Sequence, residues 1–203
     1  LLMRLLGEFL GLRLLQLLGT DVEAPSQAAA ADLPGVPVWD ENALLAAALP
    51  EIARAQRMKT LLALVDVLIQ SDRRGIVLPI LRLAGALRAA VRPYDVVALA
   101  GNPSGANWHL LLPQVREIGL HDLACRLQSL IEDELDATGG LEERGLKVAL
   151  GISVYGADAA DPRQLLAHAA HAARQALAAA QPSAIELFNP GERADAISVD
   201  GNE

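Results

Sequence analysis

Residues 92–113 read RPYDVVALAGNPSGANWHLLLP, and the fold turns on how that stretch divides. Pro93 disfavours the α conformation in the residue before it, so a helix that reaches this point stops at Arg92. Asp95–Ala100 and Trp108–Leu112 are apolar runs of strand length. Between them, Gly101-Asn102-Pro103-Ser104-Gly105 has the composition of a turn. The stretch therefore predicts a helix end followed by an antiparallel hairpin. The Arg92-x-x-Asp95 pair at its start is either a ligand-binding pair or a local ion pair that closes the junction, and the spacing alone does not separate the two.

Working outward, the hydrophobic period changes type repeatedly. Glu41–Arg57 has apolar residues at helical spacing, with Asp40 placed to cap its start. Leu61–Ile69, LLALVDVLI, fits a buried strand, and Ile76–Val91 returns to the helical period. After the hairpin come a helix over His121–Leu135, a strand over Leu146–Val154, an Ala-rich helix over Pro162–Ala180 and a last strand over Ala184–Phe188. A hairpin inside such an order, with helices covering one sheet face, predicts an α+β sandwich of ferredoxin-like character.

At 203 residues, 52% hydrophobic and 21% charged, the chain can bury a full core and is no disordered tail. A net charge of −8 argues against a broad basic face for nucleic acid, though a few local arginines could still hold a small anion. The single cysteine, Cys125, excludes an internal disulfide framework and any multi-cysteine metal site; its apolar helical run reads as buried filler.

Residues 1–20 open with LLMRLLGEFLGLRLLQLL, rich in leucine yet interrupted by Arg4, Glu8 and Arg13. The interruptions are marginal for a membrane span and wrong for a signal peptide. The stretch reads as a helix that packs on a protein partner or a twin, or lies near a membrane. No methionine initiates the sequence, which suggests a piece of a longer chain. Residues 21–31 have linker composition, the folded domain is expected over 32–190, and 191–203 form a tail.

Several of these pieces together resemble the GGDEF domain of diguanylate cyclases. LPGVP at 33–37 is similar to that family's opening LTGLP, and ALVDVL at 63–68 to its first strand, whose leading Asp binds metal. SGANWHLLLP at 104–113 stands where GGDEF, an apolar strand and a Pro would be. ALGISVY at 149–155 resembles the SIGIA strand, and LLAHAAHAARQALAAAQPSAI the family's LLxxADxALYxAKxxGRNxV segment. The resemblance runs from about Ala31 to Phe188 and implies a nucleotidyl-cyclase-like sheet with covering helices.

The departures bear on activity. Ala106 and Asn107 occupy the acidic positions of the signature, and a three-residue extension, Asn102-Pro103-Ser104 by one placement, lengthens the turn. Asp66 is left as a remnant of the metal site, and one carboxylate cannot hold the two metals that phosphoryl-type transfer uses. The segment Leu68–Gly75 is short, the guanine-reading Asn and Asp have no counterparts, and Leu177 and Gln181 replace a phosphate-binding Lys and an Arg. The resemblance thus implies a chain without cyclase activity, with no catalytic residues, no bound metal and no cofactor.

What the resemblance leaves is the family's inhibitory site, which binds the product cyclic di-GMP through an Arg-x-x-Asp at the helix-to-strand junction, here Arg92 and Asp95. Arg126, within Ala124-Cys125-Arg126-Leu127, stands where the family's auxiliary Arg lies. A guanidinium can pair with a phosphate or with guanine's acceptor edge, and a carboxylate can accept from guanine N–H groups. Bland readings stand beside these: Arg126 as a solvated helix residue, His168 and His171 as plain helix surface, Asp66 as a carboxylate satisfied by backbone donors, Trp108 as core. Two functions follow. One is a cyclic di-GMP receptor that signals to a protein partner through the N-terminal helix or the sheet edges. The family analogy attaches such receptors to exopolysaccharide, attachment or motility control, in the cytoplasm or at the inner face of the inner membrane. The other is a ligand-free interaction or homodimerisation module.

Overall fold

The computed structural model describes residues 39–73, 76–102, 105–141, 143–156, 159–178 and 183–188. The leucine-rich segment, the linker, the tail and Gln181 lie outside them. Among the described residues, no helix is long and apolar enough to cross a membrane.

Helix α1 spans Glu41–Met58. Asp40 starts it by accepting the Ala43 N–H at 2.6 Å, and Lys59 ends it in the left-handed region at φ 52°. Pro50 sits inside the helix, which persists because Leu44, Ala48, Ile52 and Ala55 form one buried stripe. Strand β1 spans Leu61–Ser71 and helix α2 Ile80–Ala90. The periodicity predicted α2 from Ile76, but Pro79 at its N-cap holds Leu78 away from the helical conformation and delays the start by one turn.

The hairpin is β2, Val96–Asn102, and β3, Gly105–Val115. Its strands run further than expected: Gly101 pairs with Ala106 and Asn102 with Gly105, so most of the expected turn belongs to the ladder. Helix α3 (Glu117–Asp136), strand β4 (Leu146–Val154), helix α4 (Pro162–Ala178) and strand β5 (Ser183–Leu187) follow.

The five strands form one mixed sheet in the order β2-β3-β1-β4-β5, antiparallel except for the parallel β4–β5 pair. Helices cover both faces, not one. Ala63, Val65, Val67 and Ile69 of β1 face a core with Leu83 and Leu87 of α2 and Leu120, Leu127 and Ile131 of α3. Leu62 and Leu64 face the opposite way, toward Leu44 and Ile52 of α1 and Leu165 and Ala169 of α4. Apolar residues on both faces of β1, interrupted only by Asp66 between Leu61 and Ile69, are what two covered faces require. Trp108 is fully buried in the α2/α3 core, as expected.

One irregularity interrupts the β1–β3 ladder. Leu61 pairs with Val115 and Leu62 with Pro113, which leaves Gln114 without a counterpart and with φ 54°. Gln114 is therefore a β-bulge at the end of β3, immediately before α3.

Candidate functional site

Three segments meet where α2 hands over to β2. Arg88, in the last turn of α2, donates from Nη1 to the Asp95 carbonyl at 2.5 Å and from Nη2 to the Arg92 carbonyl. The Asp95 N–H donates to the Arg92 carbonyl at 3.1 Å, and Asp95 Oδ2 accepts the Arg92 N–H at 2.8 Å. The turn is thus closed by Arg88 and by the Asp95 carboxylate on backbone groups, rather than by an ion pair between the Arg92 and Asp95 side chains. The Arg92 guanidinium is directed to Tyr94 instead. Its Nη1 donates to the Tyr94 hydroxyl at 3.0 Å, and its Cζ lies 5.7 Å from the ring centroid, within cation–π range.

Asp95 is only 7% exposed, and its Oδ1 has no hydrogen-bond partner. Burial pushes its pKa above the ordinary carboxylate value, opposed by the Arg92 N–H and by the charges of Arg92 and Arg88. A raised folded-state pKa contributes stability that is complete below the ordinary value, near 3.8, and lost as pH rises through the folded value. Near neutral pH, burying this group is therefore a net cost to folding. Asp95→Asn keeps an oxygen for the Arg92 N–H and removes that cost. Urea unfolding is expected to show the variant at least as stable as the parent at pH 7, with its advantage shrinking toward pH 3.5. A variant clearly weaker at pH 7 would make Asp95 a purely structural residue.

The opposite wall comes from the end of β3 and the start of α3. Together the two walls enclose a cleft of about 710 Å³, lined by Arg92, Tyr94, Asp95, Gln114, Arg116 and Arg126 among others. The structure thus brings the three expected residues, Arg92, Asp95 and Arg126, to one cleft of one chain. Arg126 is exposed at its rim. Arg88, Tyr94 and Arg116 escaped the sequence reading. Arg88 left one usable signal, as a basic residue one turn before the helix end with the reach to cap the carbonyls that follow.

A second cleft, about 580 Å³, lies on the other sheet face, lined by Asp66, Gln70, Asp72, Asn107, Lys147, Arg174 and Leu177 among others. Asp66 is buried in the middle of β1, directly opposite His109 on β3. His109 Nδ1 stands 2.8 Å from Asp66 Oδ1, close but off the line of an ideal hydrogen bond. With its amide oriented to suit its neighbours, Asn107 Nδ2 donates to the same Oδ1 at 2.8 Å and to the Val67 carbonyl at 3.1 Å. The Asn107 amide thus serves Asp66 Oδ1, with the His109 ring beside it. Two nitrogens crowd the oxygen that a divalent cation would need, and Asp72 faces Lys147 at 3.5 Å. Among the described residues, no group of three His, Cys, Asp or Glu could hold a metal ion. The residues present do not fit a two-metal centre.

Two further expectations need correction. Cys125 is half-buried, with Sγ 3.5 Å from His121 Nδ1 one turn earlier, and is not core filler. His168 and His171 are not plain surface: His168 stacks on Phe188 at 4.0 Å between ring centroids, and His171 meets the same ring edge-on at 6.2 Å.

No family model matches the sequence, and no curated protein is significantly similar to it. Solved structures are similar in fold. The GGDEF domain of TpbB, also called YfiN, from Pseudomonas aeruginosa aligns with TM-score 0.62 at 20% identity, over 82% of this chain and 98% of that one. The GGDEF domain of DgcB from Caulobacter crescentus, solved in complex with c-di-GMP, aligns with TM-score 0.61 at 12% identity over 80% and 94% of the two chains. The diguanylate cyclase SiaD from Pseudomonas aeruginosa, solved with its activator SiaC, aligns with TM-score 0.57 at 18% identity over 92% and 70%. At these identities the likeness establishes the fold: a GGDEF-type α+β domain.

Proposed function

We propose that this chain is a receptor for cyclic di-GMP, built on a GGDEF-type fold without cyclase activity, that passes the signal to a protein partner. One observation carries the reading. Arg92, Asp95 and Arg126 line a single cleft in which a buried carboxylate oxygen, Asp95 Oδ1, has no hydrogen-bond partner among the described residues. An unpaired buried acceptor costs about 1–3 kcal/mol, and a ligand N–H would relieve it. Guanine offers such donors at N1 and its exocyclic amine, while the guanidiniums suit its phosphates or acceptor edge. The complex of the similar DgcB domain with c-di-GMP supports the choice of ligand. The Asn107 and His109 nitrogens around Asp66 support the absence of cyclase chemistry.

A ligand-free interaction module is the competing reading, favoured by the structural work that Arg88 and Asp95 Oδ2 already do in closing the turn. Calorimetric titration of cyclic di-GMP into the full chain and into Arg92→Ala, with GTP as control, separates the two. Each charge-assisted bond contributes about 1.5–3 kcal/mol where water is excluded, so the variant is expected to bind at least about tenfold more weakly. No binding by the unaltered chain would leave the interaction module. Product formed from GTP and Mg²⁺ would refute the loss of activity.

A further inference from the structure

The Gln114 side chain is exposed and belongs to neither core. Leu112 and Val115 both pack against the α2/α3 core although they are three residues apart. In a regular strand, residues at odd separation face opposite ways. The extra residue returns Val115 to the same face as Leu112, and α3 then starts over the mouth of the cleft, with Arg116 as its first flanking residue. Gln114 adopts a left-handed conformation to make this shift, one that few residues other than glycine tolerate. Such strain concentrates at functional sites, where the surrounding structure holds it in place.

Arg116 is exposed and lines the cleft; its carbonyl accepts the Gly119 N–H, and its guanidinium has no hydrogen-bond or ion-pair partner among the described residues. The Arg126 guanidinium is likewise exposed, lines the cleft and has no side-chain partner among the described residues. Arg92 differs, because its guanidinium is held against Tyr94, in the cleft that Asp95 also lines. That arrangement places a planar donor, a planar ring and an acceptor together, a set suited to the edge and face of one base. If Arg92 reads a base, Arg126 can neutralise one phosphate and a second phosphate needs another cation. Among the described residues, Arg116 is the remaining cation with an unpaired side chain that lines this cleft.

We propose that Arg116, positioned by the bulge at Gln114, is a further ligand-binding residue of this cleft and holds the second phosphodiester of a bound cyclic dinucleotide. The assignment rests on the receptor reading above and adds to it the residue that completes its phosphate recognition within one chain. The test is titration of cyclic di-GMP into the full chain, Arg116→Ala, Arg116→Lys and Arg163→Ala, at two salt concentrations. Arg163 is an exposed residue of α4 that lines neither cleft. Losing one charge-assisted contact corresponds to roughly a tenfold to hundredfold weaker affinity for Arg116→Ala. Its affinity should also depend less steeply on salt, because one ionic contact is gone. Arg116→Lys is expected to keep part of the affinity and the full salt dependence, and Arg163→Ala to match the parent. Binding by the parent with an unchanged affinity and salt slope in Arg116→Ala would overturn the assignment alone. No binding by the parent would overturn the receptor reading and this assignment together.

Discussion

Replacing Gly151 by alanine is expected to lower stability by about 3 kcal/mol or more, and replacing it by valine to abolish the cooperative unfolding transition. Gly151 lies in the centre of β4, paired with Asp66 on one side and Glu186 on the other. A Cβ at this position would stand 2.1 Å from both the Ala169 carbonyl oxygen and the Ala173 nitrogen of α4. Those are backbone atoms, so no side chain can turn aside and the whole helix must lift. The buried face of α4 consists of Leu165 and four alanines, Ala169, Ala172, Ala173 and Ala176, which fit only at close approach. For a domain of this size, 3 kcal/mol corresponds to a fall in Tm of about 6–12 °C. Gly85→Ala is the control: it lies in mid-helix with nothing within 4 Å of a Cβ, and should stabilise by about 0.5–1 kcal/mol. Thermal melts of the three variants decide the matter, and an unchanged Tm for Gly151→Ala would refute the close contact between α4 and the sheet.

The second large effect concerns Asp66 and His109. Removing the imidazole with His109→Leu leaves a buried carboxyl group with the Asn107 amide still beside it, and a buried polar group that loses a partner costs about 1–3 kcal/mol, more where it is charged. The double variant Asp66→Leu/His109→Leu removes the polar group together with its partner. It is expected to be more stable than His109→Leu alone, since apolar replacements of a buried pair are often neutral or stabilising. Urea unfolding of the two single variants and the double closes the cycle. Strict additivity of the two substitutions would mean that the pair is not coupled and that its 2.8 Å approach carries no energy.

Much of this fold was legible because local signals agreed with one another. Asp40 before an apolar stripe, Pro93 after one, and the mostly apolar run of β4 each fixed an element, and β4 spans Leu146–Val154 as its composition indicated. Elements failed at their ends where tertiary pairing overrode composition. Gly101, Asn102 and Gly105 look like a turn, yet each is paired across the hairpin. Arg92, Asp95 and Arg126 were legible through resemblance, and the cleft that unites them depends on the approach of α3 to the α2–β2 junction, which no local pattern encodes. Arg116 and His109 were hidden for the same reason. The first depends on a one-residue bulge at Gln114, and the second on a register that sets His109 opposite Asp66.

The order of strands also sets a timetable for synthesis. Both neighbours of β1 are made after it: Val67 pairs with Trp108, and Asp66 with Gly151, 85 residues later in the chain (151 − 66 = 85). At about 5–20 residues per second, the fourth strand leaves the ribosome roughly 4–17 s after the first. Throughout that interval an apolar strand has at least one edge unpaired, and both until β3 emerges, a state exposed to wrong partners. Nascent chains that end before residue 146 would carry that open edge, and chaperone capture should fall once residues 146–154 have emerged.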